Sequence, residues 1–87
     1  MSTAERIREQ LQALAPQRLE IEDESARHAG HAGAQSGGGH YQLLIVSPAF
    51  AGKTQVARHR LVYAALGDMM HKEIHALSIQ ALDPDEL

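Results

Sequence analysis

The chain of 87 residues contains no cysteine and no tryptophan, and its aromatic content is 3%, from one Phe and two Tyr. Without cysteine it has no disulfide framework, no thiolate nucleophile and no thiolate ligand of its own for a zinc or iron–sulfur site. With so few aromatic side chains, a platform for stacked nucleic-acid bases is nearly excluded. The core must be aliphatic, and a hydrophobic content of 44% is ordinary for a globular domain.

The sequence also lacks a long hydrophobic run. The longest uninterrupted one, Leu61–Leu66, is far shorter than the roughly 20 residues that span a bilayer. The N-terminus lacks the basic-then-apolar pattern of a secretory signal. The length favours one domain over residues 1–87. We therefore expect a soluble, cytoplasmic, single-domain protein that does not contact a membrane.

The net charge of −3 is unevenly distributed. Acidic residues outnumber basic ones in residues 1–24, whereas residues 53–72 carry four cations against the single acid Asp68. These four cations are Lys53, Arg58, Arg60 and Lys72. They would either meet an acidic partner or a phosphate backbone, or form a solvated helix face.

The first 24 residues predict a helix followed by a strand. Residues 2–5 (Ser-Thr-Ala-Glu) fit a capping box, and the apolar stripe after them comprises Ile7, Leu11 and Leu14. Pro16 ends this helix, since the residue before proline is steered out of the α region. A half-buried edge strand follows at about Arg18–Glu24, where Leu19 and Ile21 alternate with acids.

The middle of the chain predicts a long loop and then a buried strand. Residues 25–39 are rich in Gly, Ala, Ser and His, a composition that predicts a mobile loop. The apolar run in His40–Val46 predicts a strand buried on both faces, which Pro48 ends.

A second helix is expected over about Gln55–Met70, with Thr54 as its N-cap and Gly67 as the place where it bends or splits off a last turn. Its expected core stripe comprises Val56, Tyr63, Leu66 and Met70. The alternative for residues 47–54 is a phosphate-binding loop. However, Ser47 stands where that loop needs glycine, and Pro48 removes the next amide donor, so Thr54 as a helix cap is the better interpretation.

A third strand is expected over about Glu73–Ala81, and strict alternation places His75 on one face with Leu77, Ile79 and Ala81. Asp83-Pro84 then begins a short helix. The second helix makes the last two strands parallel, while the first two strands pair antiparallel across the glycine-rich loop. The sequence thus predicts a small α+β domain, with a three-stranded mixed sheet and helices on one face.

Six histidines are many for 87 residues. His28 and His31 lie in the predicted loop, and His71 and His75 lie where the helix meets the third strand. Such short-spaced pairs resemble metal ligands. A solvated loop explains His28 and His31 equally well, and a partly buried histidine is the default interpretation of His75. No carboxylate pair, Ser/His/Asp set or thiol nucleophile is present to indicate an enzyme.

Several segments together resemble the BolA family over about residues 3–85. They are Val56–Tyr63 (VARHRLVY), Ile74–Ile79 (IHALSI), Asp23–Ser25 with the histidines after it, and Val46–Lys53 (VSPAFAGK). The resemblance implies an α-β-β-α-α-β arrangement related to the type II KH fold. It also implies a non-enzymatic protein that pairs with a monothiol glutaredoxin and shares a [2Fe–2S] cluster, in iron–sulfur assembly or iron regulation.

In that family the partner's cysteine and a glutathione thiolate hold one side of the cluster, and no cluster is expected in the isolated BolA protein. The resemblance implies His75 as one ligand and a loop histidine as the other. Counting from Ser25 favours His28, and counting back from Tyr41 favours His31, which we prefer.

The resemblance also implies an alternative, since some BolA-like proteins are DNA-binding regulators of stress response and cell shape. Lys53, Arg58, Arg60 and Lys72 would then contact phosphates. A domain of net negative charge would bind DNA weakly unless it dimerised, and we expect a monomer or a weak homodimer.

Overall fold

The computed structural model describes residues 2–24 and 39–87. Within these ranges lie three α-helices, α1 (Thr3–Leu11), α2 (Gln55–Leu66) and α3 (Met69–Lys72), and three strands, β1 (Arg18–Asp23), β2 (Gly39–Val46) and β3 (Ile74–Leu82). Short 3₁₀ helices occupy Gln12–Leu14, Pro48–Phe50 and Pro84–Glu86. This order confirms the α-β-β-α-α-β arrangement.

The three strands form one mixed sheet in the order β1-β2-β3. β1 runs antiparallel to β2, with Leu19 opposite Ile45 and Ile21 opposite Leu43. β3 runs parallel to β2, because α2 and α3 carry the chain back across the sheet between them. The predicted mixed sheet and both of its pairings are confirmed.

The helices pack on one face of this sheet. Apolar side chains of the helices and of the central strand form a single buried cluster, which includes Ile7, Leu11, Leu43, Ile45, Val62, Leu66 and Met69. The other face, which we call the open face, carries the exposed side chains of Gln42, Ser78 and Gln80. Period-two alternation along β2 and β3 separates these two faces.

Local hydrogen bonds explain where α1 and α2 begin. The Oγ of Ser2 accepts from the backbone N–H of Glu5 at 3.1 Å, and the Ser2 N–H donates to the Glu5 carboxylate at 3.5 Å. The capping box is therefore confirmed. Thr54 Oγ1 accepts from the N–H of Ala57 at 3.2 Å, which confirms Thr54 as the N-cap of α2.

Ser47, where a phosphate-binding loop would have glycine, is fully buried and joins two elements of the fold. Its hydroxyl donates to the carbonyl oxygen of Leu14 at 2.5 Å and accepts from the N–H of Ala49 at 3.1 Å. A buried carbonyl without a partner costs about 1–3 kcal/mol. Ser47 thus connects the end of the first helical segment to the end of β2.

The expected core stripe of α2 was wrong at two positions. Val56 is 61% exposed and Tyr63 is 41% exposed, whereas Arg58, Val62 and Leu66 are buried. The buried residues follow the spacing i, i+4, i+8, so the helix is rotated about its axis relative to the expectation. The expected stripe was chosen from apolar residues only and therefore left out Arg58.

The helix expected over Gln55–Met70 is split at Gly67, one of the two outcomes predicted there, so that α2 ends at Leu66. Gly67 has a φ of 57°, a conformation that an L side chain rarely adopts, and α3 follows it as a separate turn. β3 begins and ends one residue later than expected.

The helices found within residues 2–24 and 39–87 are all too short or too polar to span a bilayer.

Candidate functional site

His75 lies at the start of β3, at an irregularity in the pairing with β2. Gly39 of β2 pairs with Ile74. The next residue, His40, pairs with Ala76, which leaves His75 without a partner residue on β2. An extra residue of this kind is a β-bulge, and a bulge redirects the side chain that it carries.

This bulge corrects the expected placement of His75. Strict alternation groups His75 with Leu77 and Ile79, which are half-buried on the helix-covered face. Instead Ile74 takes the buried position, with 4% exposure, and His75 is exposed. The imidazole is therefore accessible from outside the domain.

The ring of His75 stacks on the ring of His40, with centroids 5.2 Å apart and planes inclined by 28°. His40 is half-buried. Because the neighbouring Tyr41 and Leu43 point into the core, alternation assigns His40 to the open face. The His40–His75 pair thus presents two imidazoles in contact at one end of the sheet.

The segment 25–38 leaves and rejoins the sheet at this same end. The N–H of Glu24 donates to the carbonyl of His40 at 2.7 Å. The N–H of Gly39 donates to the carbonyl of Glu73 at 3.1 Å. His28 and His31, the two candidate loop ligands, lie outside the described residues.

Two further histidines lie on the helices. His71 is exposed in the last turn of α3, four residues before His75. His59 is half-buried on α2, and its Nε2 is shielded and has no hydrogen-bond partner among the residues that the structure describes. Neither ring belongs to the stacked pair.

The four cations expected to form a basic surface divide into two kinds. Lys53, Arg60 and Lys72 are exposed, whereas the Arg58 side chain is only 6% exposed. The Arg58 guanidinium donates to the carbonyls of Lys53 at 2.9 Å and Ala81 at 3.0 Å. Arg58 is therefore not part of the exposed basic surface that the sequence predicted, because its guanidinium is buried and its N–H groups donate to the protein itself.

The partner of Arg58 is the carboxylate of Glu86, which accepts two of its hydrogen bonds, at 2.5 and 3.3 Å. Glu86 also accepts from the N–H of Asp83 at 2.7 Å, as part of a second capping box. Sequence reasoning missed this contact. The available signals were the Asp-x-x-Glu pattern at residues 83–86 and the spacing of Arg58 with Val62 and Leu66.

The side chains at the sheet end match the nitrogen ligands that zinc, copper and iron accept from proteins. They do not amount to a complete centre. Over residues 2–24 and 39–87, no group of three or more His, Asp or Glu side chains is placed to hold a metal ion. A metal group at the His40–His75 pair would need further ligands from elsewhere.

The fold and this sheet end define a small α+β domain that exposes imidazole beside the ends of a glycine- and histidine-rich segment. The family model described as "BolA-like protein" matches residues 11–86. The chain belongs to the BolA family.

Known relatives agree with this assignment. SufE-like protein 1, chloroplastic/mitochondrial, of Arabidopsis thaliana is 49% identical over 94% of this chain, which spans 24% of that protein. Protein BOLA1, chloroplastic, of the same plant is 46% identical over 95% of the chain and 54% of its own length. The chain therefore spans about a quarter and about half of these two relatives. Their names refer to organelles, so the cytoplasmic location stays a prediction.

A bacterial relative and a solved structure complete the comparison. The DNA-binding transcriptional regulator BolA of Escherichia coli is 39% identical over 91% of this chain and 73% of its own length. The structure of BolA1 from Arabidopsis thaliana superimposes with a TM-score of 0.85 at 43% identity, covering 100% of this chain and 97% of that one. The BolA-type fold is confirmed.

We predict that Arg58→Ala lowers the free energy of unfolding by about 2–4 kcal/mol, since it removes buried charge-assisted hydrogen bonds to the Lys53 and Ala81 carbonyls. Urea unfolding measures this loss. Arg60→Ala, on the exposed side of α2, is the matched control and should change stability by less than about 0.5 kcal/mol. Equal stability of the two variants would contradict the structural role of Arg58.

We further predict an acid dependence of stability that comes from Glu86. Hydrogen bonds from Arg58, and then from the Asp83 N–H, hold the pKa of Glu86 below its ordinary value of 4.5. When the pKa of a carboxyl group is lower in the folded state than in the unfolded state, its ionised form stabilises the fold at pH values above the unfolded-state pKa. This contribution is lost as the pH falls through the folded-state pKa.

The free energy of unfolding of the wild type should therefore fall more steeply on acidification than that of Glu86→Gln. Urea unfolding between about pH 6 and pH 3 measures both slopes. Asp85→Asn, which removes an exposed carboxylate one residue earlier, is the control and should keep the wild-type slope. Parallel slopes for the wild type and Glu86→Gln would rule out this contribution.

Proposed function

We propose that the chain is a non-enzymatic accessory protein that pairs with a monothiol glutaredoxin and supplies imidazole ligands to a shared [2Fe–2S] cluster. The observation that carries the proposal is the position of His75. His75 is the bulge residue of β3 and has no partner residue on β2. Its ring is exposed and stacks on a second imidazole, that of His40.

The absence of cysteine supports a shared cluster rather than one held by this chain alone. Iron–sulfur clusters are held mainly by thiolates, with histidine replacing cysteine on one iron in some centres. This chain has imidazoles but no thiol. The thiolates must therefore come from a partner and from glutathione. Such a cluster supplies one-electron redox chemistry, or is itself the cargo that is passed on.

The second ligand in this proposal is a histidine of the segment 25–38, His31 or His28. The hydrogen bonds of Glu24 and Gly39 support it, because they bring both ends of that segment beside the His40–His75 pair. A loop ligand and a strand ligand can then approach the same partner surface from one end of the sheet.

The test is to mix the protein with a reconstituted, cluster-loaded monothiol glutaredoxin in glutathione and to record visible circular dichroism. The wild type should change the spectrum, because imidazole replaces a thiolate on iron. With His75→Ala, the spectrum should remain the one that the cluster-loaded glutaredoxin gives by itself. His71→Ala is the matched control, since it removes an exposed histidine four residues earlier and should respond like the wild type.

The same titration assigns the loop ligand. His31→Ala should lose the response and His28→Ala should keep it, and the reverse result would assign His28. A response of His75→Ala equal to that of the wild type would remove this residue from the site and overturn the proposal.

A second candidate function, DNA binding in transcriptional regulation, is favoured by the name of the Escherichia coli relative. The exposed cations Lys53, Arg60 and Lys72 would then contact phosphates, without Arg58. Three contacts on a chain of net charge −3 are few for a DNA-binding surface. The cluster proposal is therefore the better supported of the two.

If the chain does bind DNA, the triple variant Lys53→Ala/Arg60→Ala/Lys72→Ala should weaken binding uniformly across sequences. The dependence of affinity on salt should become shallower by about one slope unit per lost phosphate contact. Titrating duplex DNA at two salt concentrations measures both effects. His75→Ala is the control and should bind DNA like the wild type. Equal affinities of the triple variant and the wild type would show that these cations form a solvated surface.

A further inference from the structure

We infer that His40 is a positioning residue, which holds the imidazole of His75 in the orientation that a metal-bearing partner meets. This inference rests on the proposed function. In this inference His40 acts through the face of its ring and does not coordinate iron.

The backbone at His75 leaves the orientation of its ring poorly fixed. Between the paired residues Ile74 and Ala76, His75 has no partner on β2. Its side chain is exposed, so the core does not restrict it. An exposed side chain at a bulge samples several rotamers unless a neighbour selects one.

His40 is well fixed by comparison. It lies on β2, the central strand, and its carbonyl accepts from the N–H of Glu24 at 2.7 Å on one side. On the other side it pairs with Ala76 of β3. It is also half-buried, so its ring has less freedom than that of His75.

The contact between the two rings connects the fixed residue to the exposed one. At a centroid separation of 5.2 Å and an inclination of 28°, the rings are within the range of stacked aromatic pairs. Stacking uses the ring faces and leaves the nitrogen lone pairs, which lie in the ring planes, directed elsewhere. The His75 ring can therefore be held by His40 and still offer a nitrogen to a metal.

Holding one rotamer-rich side chain in its bound orientation changes affinity by a limited and predictable amount. The ordering cost for such a side chain corresponds to a change of about three- to tenfold in a dissociation constant. Loss of His40 should thus weaken the cluster-dependent complex without abolishing it. Loss of His75 should abolish the spectral response.

The decisive comparison is between His40→Ala, which removes the ring, and His40→Phe, which keeps a stacking face but has no nitrogen. Visible circular dichroism, titrated against cluster-loaded monothiol glutaredoxin, gives the apparent affinity of each variant. We expect His40→Ala to bind about three- to tenfold more weakly and His40→Phe to remain within about twofold of the wild type. Gln42→Ala, the next open-face residue of β2, is the matched control.

A second readout needs no cluster. Three-bond NMR couplings in the isolated protein report the rotamer populations of His75, and thermal unfolding shows whether each variant is folded. His75 should populate one rotamer in the wild type and in His40→Phe, and should be rotationally averaged in folded His40→Ala.

Two results would overturn the inference. One is wild-type affinity and rotamer populations in His40→Ala. The other is a His40→Phe variant as weak as His40→Ala, which would mean that His40 acts through a nitrogen. Both differ from failure of the proposed function, in which the wild type and His75→Ala respond alike to the partner.

Discussion

One extra residue in β3, where this strand begins to pair with β2, determines which side chains the domain presents at that end of its sheet. Without it, alternation would direct His75 toward the helix-covered face with Leu77 and Ile79. With it, Ile74 fills the buried position and His75 is exposed beside His40. Bulges are frequent beside functional sites for this reason, because they redirect a single side chain while the rest of the strand keeps its register.

The opposite end of β3 is held by contacts with Arg58. There Arg58 donates to the Ala81 carbonyl and to the Glu86 carboxylate, so that the last turn of the chain is fastened to α2. Ala81 lies six positions after His75, which is about 20 Å along the strand at roughly 3.3 Å per residue. Substitutions at the two ends should therefore act nearly independently, and effects on partner binding can be separated from effects on folding.

Features that depend on nearby residues could be predicted from the sequence. The capping box at Ser2, the N-cap at Thr54 and the strand pairings follow from short spacings and from the crossover rule, and all are present in the structure. The rotation of α2 could not be predicted in the same way. The spacing of Arg58 with Val62 and Leu66 is visible in the sequence, but it indicates a buried stripe only once Glu86, 28 residues later, is known as the partner of Arg58.

The same distinction between local and distant features applies to the candidate site. His75 was singled out because the segment around it resembles a family motif. Its exposure and its contact with His40 could not be predicted from the sequence. Both depend on an irregularity in strand pairing, at residues that are 35 and 36 positions apart in the chain. Ladder register is set by the packing of one whole face, and a single bulged residue has no sequence pattern of its own.

The burial of Arg58 also affects the choice between the two functions. In the sequence, the cations from Lys53 to Lys72 form one basic group, but in the structure the guanidinium of Arg58 is buried. The three remaining cations are exposed on an acidic domain, where salt screens their attraction for phosphate. Coordination of a metal by imidazole does not depend on the net charge of the domain in this way. The imidazole exposed at one end of the sheet is therefore the feature on which the proposed contribution of this acidic, cysteine-free chain to a shared cluster rests.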